Sequence, residues 1–396
     1  MTFFVLLSNY LKGGNLNTKK SILICGYYGS YNLGDEAMLA GMLKLLRELQ
    51  NNLQITVFSR DTQDTTARHS VRAVHYRNSQ LKIKHNIALL QNQFFILGGG
   101  DLLRDGVDQS IAQGWLRPLQ QAIRLRRRTL VLGISVGEIW RKETQDMIPQ
   151  VLNQVDLLTV RDADSKSKLE KLGVRKSIHI ISDLALQFLP ETRSLPNQPV
   201  ERPIQIGISI RPLNLRGRYT DAGIYLRYQQ EMAAIADLLV EQYEATVHFL
   251  PFQALKSGYH SSNDDYVATL ELLRYSRYSN HFVVHRSFES LHTLNQLISE
   301  LDLVIGMRLH SLILAAGLGV PVIAAEYDSK VRGFMEEIGQ AQHSIPLEYF
   351  ERKQLLSSID EILANPLMAR KDVETGIQNY RQRSLGIQQA LRQALA

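Results

Sequence analysis

The chain has 396 residues, of which 44% are hydrophobic and 21% charged, and its formal net charge at pH 7 is +6. This length favours two domains of about 150 to 200 residues, and the composition is ordinary for a globular protein. The single cysteine, Cys25, excludes a disulfide framework and a cysteine-based metal site, and it favours a reducing compartment. The positive surplus suits an anionic partner but is too small and dispersed to distinguish a substrate from nucleic acid or a membrane surface.

The first 19 residues are predicted to be an N-terminal extension. They contain a short apolar run but lack the basic start, the length and the cleavage site of a signal peptide. Nowhere does an apolar stretch approach the ~20 residues that a transmembrane helix needs. We therefore predict a cytoplasmic protein, with at most peripheral contact at the inner face of a membrane.

Residues 20–190 alternate short apolar runs with helical patterns. The predicted strands are 20–26, 54–58, 71–75, 94–97, 129–134, 157–160 and 178–181, and helices are predicted over 34–50, 111–127 and 163–172, among others. Strands that are apolar on both faces and separated by helices indicate a parallel sheet covered on both sides. Residues 20–190 are therefore the predicted N-terminal Rossmann-like domain.

Residues 191–203 interrupt this alternation and are predicted to be a linker, because prolines recur in a polar stretch. A second alternation over 204–396 predicts a C-terminal Rossmann-like domain, whose residues from 355 onward form amphipathic helix. The predicted fold class is thus α/β, with two doubly wound domains facing a cleft. This resembles the GT-B arrangement of many glycosyltransferases, although fold alone does not determine chemistry.

A glycine-rich loop, G-Y-Y-G-S-Y-N-L-G-D-E at 26–36, directly follows the first predicted strand. Glycines allow a tight turn and a close approach of backbone to ligand, but the spacing matches neither G-x-G-x-x-G nor a P-loop. The carboxylates of Asp35 and Glu36 would repel a pyrophosphate and suit sugar hydroxyls better. We predict that Asn32, Asp35 and Glu36 bind substrate; the alternative is that Asn32 and Asp35 only cap the helix.

Polar or glycine residues also follow three other predicted strands. Ligands of open α/β sheets bind outside the carboxyl ends of strands. We therefore predict that Gly99, Gly100 and Asp101, which follow the 94–97 strand, bind substrate unless the glycines serve only close packing. Arg161 follows the 157–160 strand and is predicted to face an anion; the alternative is an ion pair with Asp162 or Asp183. Arg211 ends the 204–210 strand and is predicted to contact the ligand.

The stretch 302–331, D-L-V-I-G-M-R-L-H-S-L-I-L-A-A-G-L-G-V-P-V-I-A-A-E-Y-D-S-K-V, carries the strongest signal. It predicts a buried strand, a turn and a helix that starts near Arg308. A helix N-terminus attracts anions, an arginine adds a fixed planar cation, and His310 can move a proton near pH 7. Arg308 and His310 are thus candidate catalytic residues, and Ser311 and Lys330 are candidate substrate-binding residues. Histidines elsewhere show no metal-ligand spacing, and no metal site is predicted.

Five motifs, in this order, resemble those of one family: G-Y-Y-G-x-x-N-x-G-D-E-A, G-G-G-D-L, V-R-D-x-x-S, I-x-x-R and M-R-L-H-S-x-I-x-A. The family is the polysaccharide pyruvyl transferases, and the resemblance, over about residues 20–345, is closest to the cell-surface polysaccharide branch called CsaB. It implies transfer of pyruvate from phosphoenolpyruvate to a sugar as a cyclic ketal, with the first domain on the acceptor side and the second on the donor side.

The resemblance also implies residue roles and partners. It implies catalytic roles for Arg161, Arg308 and His310, and less securely a donor contact for Arg211. It implies a nearby acidic residue and leaves open whether this is Asp264 or Asp265. The implied partners are phosphoenolpyruvate and a sugar or lipid-linked saccharide acceptor, without a cofactor and without nucleic acid.

Two other functions remain open at this level. One is a GT-B glycosyltransferase that uses a nucleotide sugar, for which Glu326 is the best ribose-binding candidate. The other is a polysaccharide-binding or assembly protein without catalysis. The second needs no proton-transfer group, so Arg308 and His310 at a helix start argue against it.

Overall fold

The computed structural model describes residues 20–50, 52–76, 82–190, 202–213, 222–254 and 263–395. The predicted extension 1–19 and nearly all of the predicted linker 191–203 lie outside these residues. Two parallel sheets dominate the described part of the chain. The first has seven strands in the order β3-β2-β1-β4-β5-β6-β7, and the second has six in the order β10-β9-β8-β11-β12-β13.

The strands are β1 (Lys20–Cys25), β2 (Leu53–Ser59), β3 (Arg72–His75), β4 (Phe94–Leu103), β5 (Arg128–Val136), β6 (Leu157–Val160), β7 (Ile178–Ile180), β8 (Gln205–Ser209), β9 (Thr246–Phe249), β10 (Val283–Val284), β11 (Leu303–Gly306), β12 (Val322–Glu326) and β13 (Ser344–Pro346).

The helices are α1 (Leu33–Leu49), α2 (Thr62–His69), α3 (Lys82–Gln91), α4 (Ile111–Arg124), α5 (Lys142–Leu152), α6 (Ala163–Lys171), α7 (Ala185–Phe188), α8 (Ala222–Tyr243), α9 (Asp265–Leu273), α10 (Leu291–Glu300), α11 (Leu309–Gly317), α12 (Ser329–Glu337), α13 (Arg352–Ala364), α14 (Pro366–Gln382) and α15 (Ile387–Leu395). Among the described residues, none of these helices combines the length and apolarity that crossing a bilayer requires.

Side-chain alternation along the central strands explains why both faces of each sheet are covered. In β1, Ile22 and Ile24 belong to one apolar cluster and Leu23 and Cys25 to another. Successive strand residues point to opposite faces, so a strand that is apolar at every position must be covered on both sides. The predicted α/β fold with two doubly wound domains is confirmed.

The strand orders place one switch point in each sheet. In the first sheet the chain order reverses between β1 and β4, and in the second between β8 and β11. The loops that follow these strands diverge there and leave a crevice at the carboxyl ends, where α/β proteins bind ligands. The glycine-rich loop, the three glycines, Arg211 and Arg308 all lie at these two switch points.

A continuous apolar cluster joins the two domains. It includes Met38 of α1, Leu186 of α7 and Leu312 of α11, all buried. The backbone N–H of Leu33 donates to the carbonyl of Phe252 at 2.8 Å, which ties the start of α1 to the second domain. The N-termini of α1 and α11 therefore come together at the base of the crevice.

Two details differ from the sequence-based expectation. Strand β4 continues through the three glycines to Leu103 instead of ending at residue 97, with Gly99 and Gly100 at φ of 72° and 95° and a register shift against β5. These positive φ values are accessible to glycine at little cost. The C-terminal segment is three helices, since Pro366 begins a new one. The last of these reaches the first domain, where Lys20 Nζ donates to the Leu395 carbonyl.

The packing of α1 on α7 yields a test with a matched control. A Cβ at Gly41 of α1 would lie 1.8 Å from the Leu184 carbonyl oxygen, whereas a Cβ at Gly333 of α12 would have nothing within 4 Å. We expect Gly41→Ala to destabilise the protein by about 1–3 kcal/mol through overpacking. Gly333→Ala should stabilise it by about 0.5–1 kcal/mol, the ordinary helix preference for alanine. Urea unfolding of both variants measures the difference; equal effects would contradict this packing.

Candidate active site

Arg308 lies at the N-cap position of α11 and is held by a buried carboxylate. Its Nε lies 3.0 and 3.1 Å from the two oxygens of Asp265, and its Nη2 donates to the same carboxylate and to Asn263 Oδ1. Asp265 also accepts the backbone N–H groups of Phe252 and Gln253 at 3.0 and 2.9 Å. The guanidinium is therefore fixed in orientation, and its Nη1 makes no hydrogen bond to a described residue.

Asp264 and Asp265, which the sequence could not distinguish, have different positions. Asp264 caps α9 through hydrogen bonds from the N–H groups of Tyr266 and Val267. Asp265 is fully buried against Arg308. Only Asp265 therefore belongs to the candidate site.

Three cationic side chains surround the ring of Tyr327, which follows β12. Arg211 Cζ lies 4.6 Å and Lys330 Nζ 5.7 Å from the ring centroid. Burial by itself would raise the pKa of Tyr327, but Lys330, Arg211 and Arg308 together lower it. The lowered pKa reports a positive electrostatic potential at this point, which favours a bound anion.

One of these cations spans the crevice. Lys330 Nζ lies 3.3 Å from Asp101 Oδ2 at the end of β4, so it links the second domain to the first. Burial would lower the pKa of Lys330, but Tyr327, Asp101 and Asp328 hold it above its usual value. Lys330 is thus a permanent cation near neutral pH, with Asp101 opposite.

His310 lies one residue beyond the start of α11 and faces Asp183 of the first domain. Its Nε2 is 3.6 Å from Asp183 Oδ2, and among the described residues none hydrogen-bonds to this nitrogen. The ring also touches α1, because a Cβ at Gly34 would lie 2.1 Å from His310 Nδ1. His310 is therefore positioned by groups from both domains.

Arg161 is hydrogen-bonded to Asp183 and also acts electrostatically on Asp35 and Asp101. Its Nη1 donates to Asp183 Oδ2 at 2.9 Å, and its Nε lies 3.9 Å from Asp162. Burial by itself would raise the pKa of Asp183, but His310 and Arg161 hold it well below its usual range. The structural ion pair that we considered for Arg161 is present, and the guanidinium stands behind His310 with Asp183 between them.

Asp35, in the first turn of α1, is the one predicted carboxylate that makes no hydrogen bond to a described residue. A Cβ at Gly100 would lie 2.8 Å from its Oδ1, so the carboxyl group lies against the glycines of β4. Burial raises its pKa to about 8, and the nearby carboxylates of Glu36 and Asp183 add to this effect. Asp35 therefore keeps its proton at pH 7 and can act as a donor.

Three other predicted substrate-binding residues have structural partners. Glu36 is fully buried; one oxygen accepts the Gly29 N–H at 2.8 Å and the other pairs with His69 Nε2 at 2.7 Å. Asn32 caps α1 through Gly34, as the alternative reading proposed. Ser311 is buried and donates to the Arg308 carbonyl. These side chains shape the two helix starts, and their geometry does not direct them at a ligand.

The nucleotide-sugar alternative loses its main candidate. Both oxygens of Glu326 bind Arg332, at 2.8 and 3.1 Å, and the carboxylate is buried. A ribose would have to displace this pair. Across the described ranges, no three His, Cys, Asp or Glu side chains are grouped so that they could hold a metal ion.

Sequence reasoning missed three contributors: Asn263, Tyr327 and the positioning role of Asp183. Asp183 follows the last strand of the first sheet, a location that could have marked it, since Arg161 follows the neighbouring strand. Asn263 gave no signal, because it ends a polar stretch, 254–263, that contains none of the motifs. Tyr327 carries no signal of its own beside Glu326.

Comparison with known proteins decides the family. A family profile described as polysaccharide pyruvyl transferase matches residues 32–329. The chain belongs to this family. A relative in sequence is the amylovoran biosynthesis protein AmsJ of Erwinia amylovora, which is 22% identical over 273 residues, 66% of this chain. The match spans 64% of the length of AmsJ, so this chain covers somewhat less than two thirds of that relative.

Solved structures share the fold of this chain at low identity. A glycosyltransferase from Rickettsia africae superposes with a TM-score of 0.61 at 12% identity, over 96% of this chain and 99% of the other. The UDP complex of S. aureus MnaA has a TM-score of 0.58 at 10% identity, over 93% of this chain and 94% of the other. A UDP-GlcNAc 2-epimerase from Neisseria meningitidis has a TM-score of 0.54 at 12% identity, over 94% of this chain and 99% of the other. The GT-B-like fold is thereby confirmed.

The raised pKa of Asp35 predicts a pH-dependent stability. The pKa is about 8 in the folded state and near 3.8 in the unfolded chain. Between these values the folded state holds a proton that the unfolded state has lost. This proton stabilises the folded state fully below about pH 4. The stabilisation falls as pH rises from about 4 to about 8, by at most about 1.4 kcal/mol per pH unit, and is lost above that range.

Asp35→Asn removes this titration. In urea unfolding from about pH 5 to 9, the stability of the variant relative to the wild-type protein should increase with pH up to about 8 and then level off. Asp146→Asn on the exposed face of α5 is the matched control and should show no such trend. A constant difference for Asp35→Asn would refute the raised pKa.

Proposed function

We propose that the protein transfers pyruvate from phosphoenolpyruvate to two hydroxyl groups of one sugar unit, forming a cyclic ketal and releasing phosphate. The acceptor is a cell-surface polysaccharide or its lipid-linked precursor, and the chain is assigned to the CsaB branch of the family. Family membership supports transfer to a polysaccharide. The observation that carries the donor assignment is the positive group of Arg211, Arg308 and Lys330 around Tyr327. Of these cations, Lys330 and Arg308 also interact electrostatically with Asp35.

The donor is a small, highly charged anion, and the second domain has the groups to hold it. Arginine binds carboxylate and phosphate through paired N–H groups, and lysine binds phosphate as a point charge. Arg308 is held in place by Asp265, so its orientation needs little further ordering on binding. We assign Arg211, Arg308 and Lys330 to the phosphoenolpyruvate carboxylate and phosphate.

The reaction begins with a proton transfer to the terminal carbon of phosphoenolpyruvate, which becomes the methyl group. The C2 carbon is then cationic and is attacked by one sugar hydroxyl, which gives up its proton. Cleavage of the C2–O bond releases phosphate and restores a cationic C2. The second hydroxyl attacks, loses its proton and closes the ketal. One proton ends on the methyl group and one on phosphate. No electrons are exchanged with a redox partner, and we predict no cofactor.

Two groups can move these protons. Asp35, protonated at pH 7, is suited to donate to the terminal carbon, and His310 is suited to accept from a sugar hydroxyl. The Asp183 carboxylate faces the imidazole at 3.6 Å and can orient it. Arg161 acts through Asp183 and is a positioning residue in this scheme. Asp101, opposite Lys330 on the acceptor side, is suited to bind sugar hydroxyls.

A direct test incubates the purified protein with phosphoenolpyruvate and a panel of surface-polysaccharide fragments and lipid-linked saccharides. We expect phosphate release only when an acceptor is present, together with a product heavier by pyruvic acid minus one water. Mass spectrometry and a phosphate assay measure both. Turnover of a nucleotide sugar, with no phosphate released from phosphoenolpyruvate, would instead support the glycosyltransferase alternative. The acceptor found also tests the CsaB assignment.

His310→Ala should reduce turnover by about 100-fold or more, because the loss of a general acid–base group typically costs this much. Its unfolding curve should stay near that of the wild-type protein. His292→Ala, at an exposed position on α10, is the matched control and should keep full activity. Full activity in His310→Ala would remove His310 from the mechanism.

A further inference from the structure

Two exposed apolar side chains lie at the carboxyl-end edge of the first sheet. Trp140 is 54% exposed and follows β5, and Val107 is 56% exposed and follows β4. Single exposed apolar residues are common on protein surfaces. This pair differs because it is carried by two loops that are fixed to each other and to the candidate site. We name Val107 and Trp140 the Trp140 platform.

A buried carboxylate holds the two loops together. Asp105 accepts the backbone N–H groups of Trp140 and Arg141 at 3.0 and 2.8 Å, and the hydroxyl of Thr144 at 3.0 Å. The Asp105 N–H donates to the Glu138 carbonyl at 2.9 Å, so both loops are linked in both directions. The backbone that carries Trp140 is therefore ordered before any ligand arrives, which lowers the entropic cost of binding.

A second set of contacts fixes the neighbouring side of the platform. Arg141 Nη2 donates to the Val107 carbonyl at 2.8 Å, which ties the residue after Trp140 to the other platform residue. The N–H of Gly137 donates to the Leu103 carbonyl at 2.9 Å. The two platform residues thus belong to one surface.

This surface continues into the candidate site. A Cβ at Gly137 would lie 3.3 Å from Asp101 Oδ1, and Arg104 Nε is 3.8 Å from Asp101 Oδ2. Asp101 in turn meets Lys330 across the crevice. Trp140 is the third residue after Gly137, so the two Cα atoms are within about 11 Å of each other. A saccharide chain that enters the crevice at Asp101 can therefore reach Trp140.

We propose that the Trp140 platform is a subsite for the acceptor saccharide, contacting sugar units next to the one that receives pyruvate. This inference rests on the proposed function and extends it to the acceptor side. An exposed indole on ordered backbone offers a broad apolar face with a polar edge, which matches a sugar ring that has both C–H and O–H groups. The exposed residues close to the platform in sequence carry both charges, Arg104 and Lys142 against Asp108 and Glu138. This balance favours a neutral saccharide over an anionic bilayer surface.

The protein provides its own fluorescent reporter for this subsite. The protein has two tryptophans, Trp140 and Trp115. Trp115 is 5% exposed, and its ring stacks on that of Tyr76 with the centroids 5.1 Å apart. Quenching of emission by iodide therefore reports mainly on Trp140. Oligosaccharide fragments of surface polysaccharides, from disaccharides upward, should shift the emission and reduce quenching in the wild-type protein. The same fragments should have no effect in Trp140→Phe.

Steady-state kinetics distinguish a role of this subsite in acceptor binding from a role in the chemical step. In Trp140→Ala, KM for an oligosaccharide acceptor should rise about tenfold. KM for phosphoenolpyruvate and kcat at saturating acceptor should stay unchanged, and a single-sugar acceptor should show little difference. Met368→Ala, an apolar position that is 60% exposed on α14, is the matched control and should behave as the wild-type protein.

Three outcomes would overturn the subsite. They are no fluorescence response to any fragment, an unchanged acceptor KM in Trp140→Ala, and protection of Trp140 by anionic phosphatidylglycerol vesicles in place of saccharide. Failure of the proposed function has a different signature, since saccharide would still alter Trp140 emission while phosphoenolpyruvate released no phosphate.

Discussion

The buried carboxylate of Asp183 is the constraint on which the site depends. An ionised group without water is tolerated only if counter-charges and hydrogen-bond donors surround it. Asp183 obtains them from Arg161, from the Ala185 N–H and from His310 across the domain boundary. The backbone N–H of Asp183 donates to the hydroxyl of Tyr380 in α14, one of the C-terminal helices. One residue thus connects a strand end of the first sheet, the helix start of the second domain and the C-terminal helices.

The two domains bring opposite chemistry to the crevice. The first contributes carboxyl groups, Asp35 and Asp101, and the second contributes cations around Tyr327. Two of these three cations already have a carboxylate near them, Asp265 for Arg308 and Asp101 for Lys330. The free protein therefore avoids a cluster of unpaired positive charge. A bound anion would compete with Asp101 for Lys330, whereas Asp265 is held by two backbone donors and stays with Arg308. In the proposed function, binding of the donor would therefore be linked to the carboxylate of Asp101 through Lys330.

The sequence predicted the positions of Arg308 and His310 but not the directions of their side chains. Their position at the start of α11, at a switch point, followed from the apolar run before them and the helical pattern after them. Their directions did not follow, because neighbouring helix-start residues diverge by about 100° per residue. Arg308 turns to Asp265 of its own domain, and His310 turns to Asp183 of the other. For Glu36 the sequence-based prediction was less useful. The motif places Glu36 beside Asp35, but the Glu36 side chain points to Gly29 and His69.

Local patterns were enough to establish two doubly wound domains, the strand ends that carry polar residues and the family, because these depend on periodicity and on motif order along the chain. The folded chain alone decided which of those residues meet. The pairing of Asp265 and not Asp264 with Arg308, the raised pKa of Asp35 and the place of Arg161 behind His310 all arise from groups far apart in sequence. Charge, burial and hydrogen bonding act through space, so no pattern read along the chain contains them.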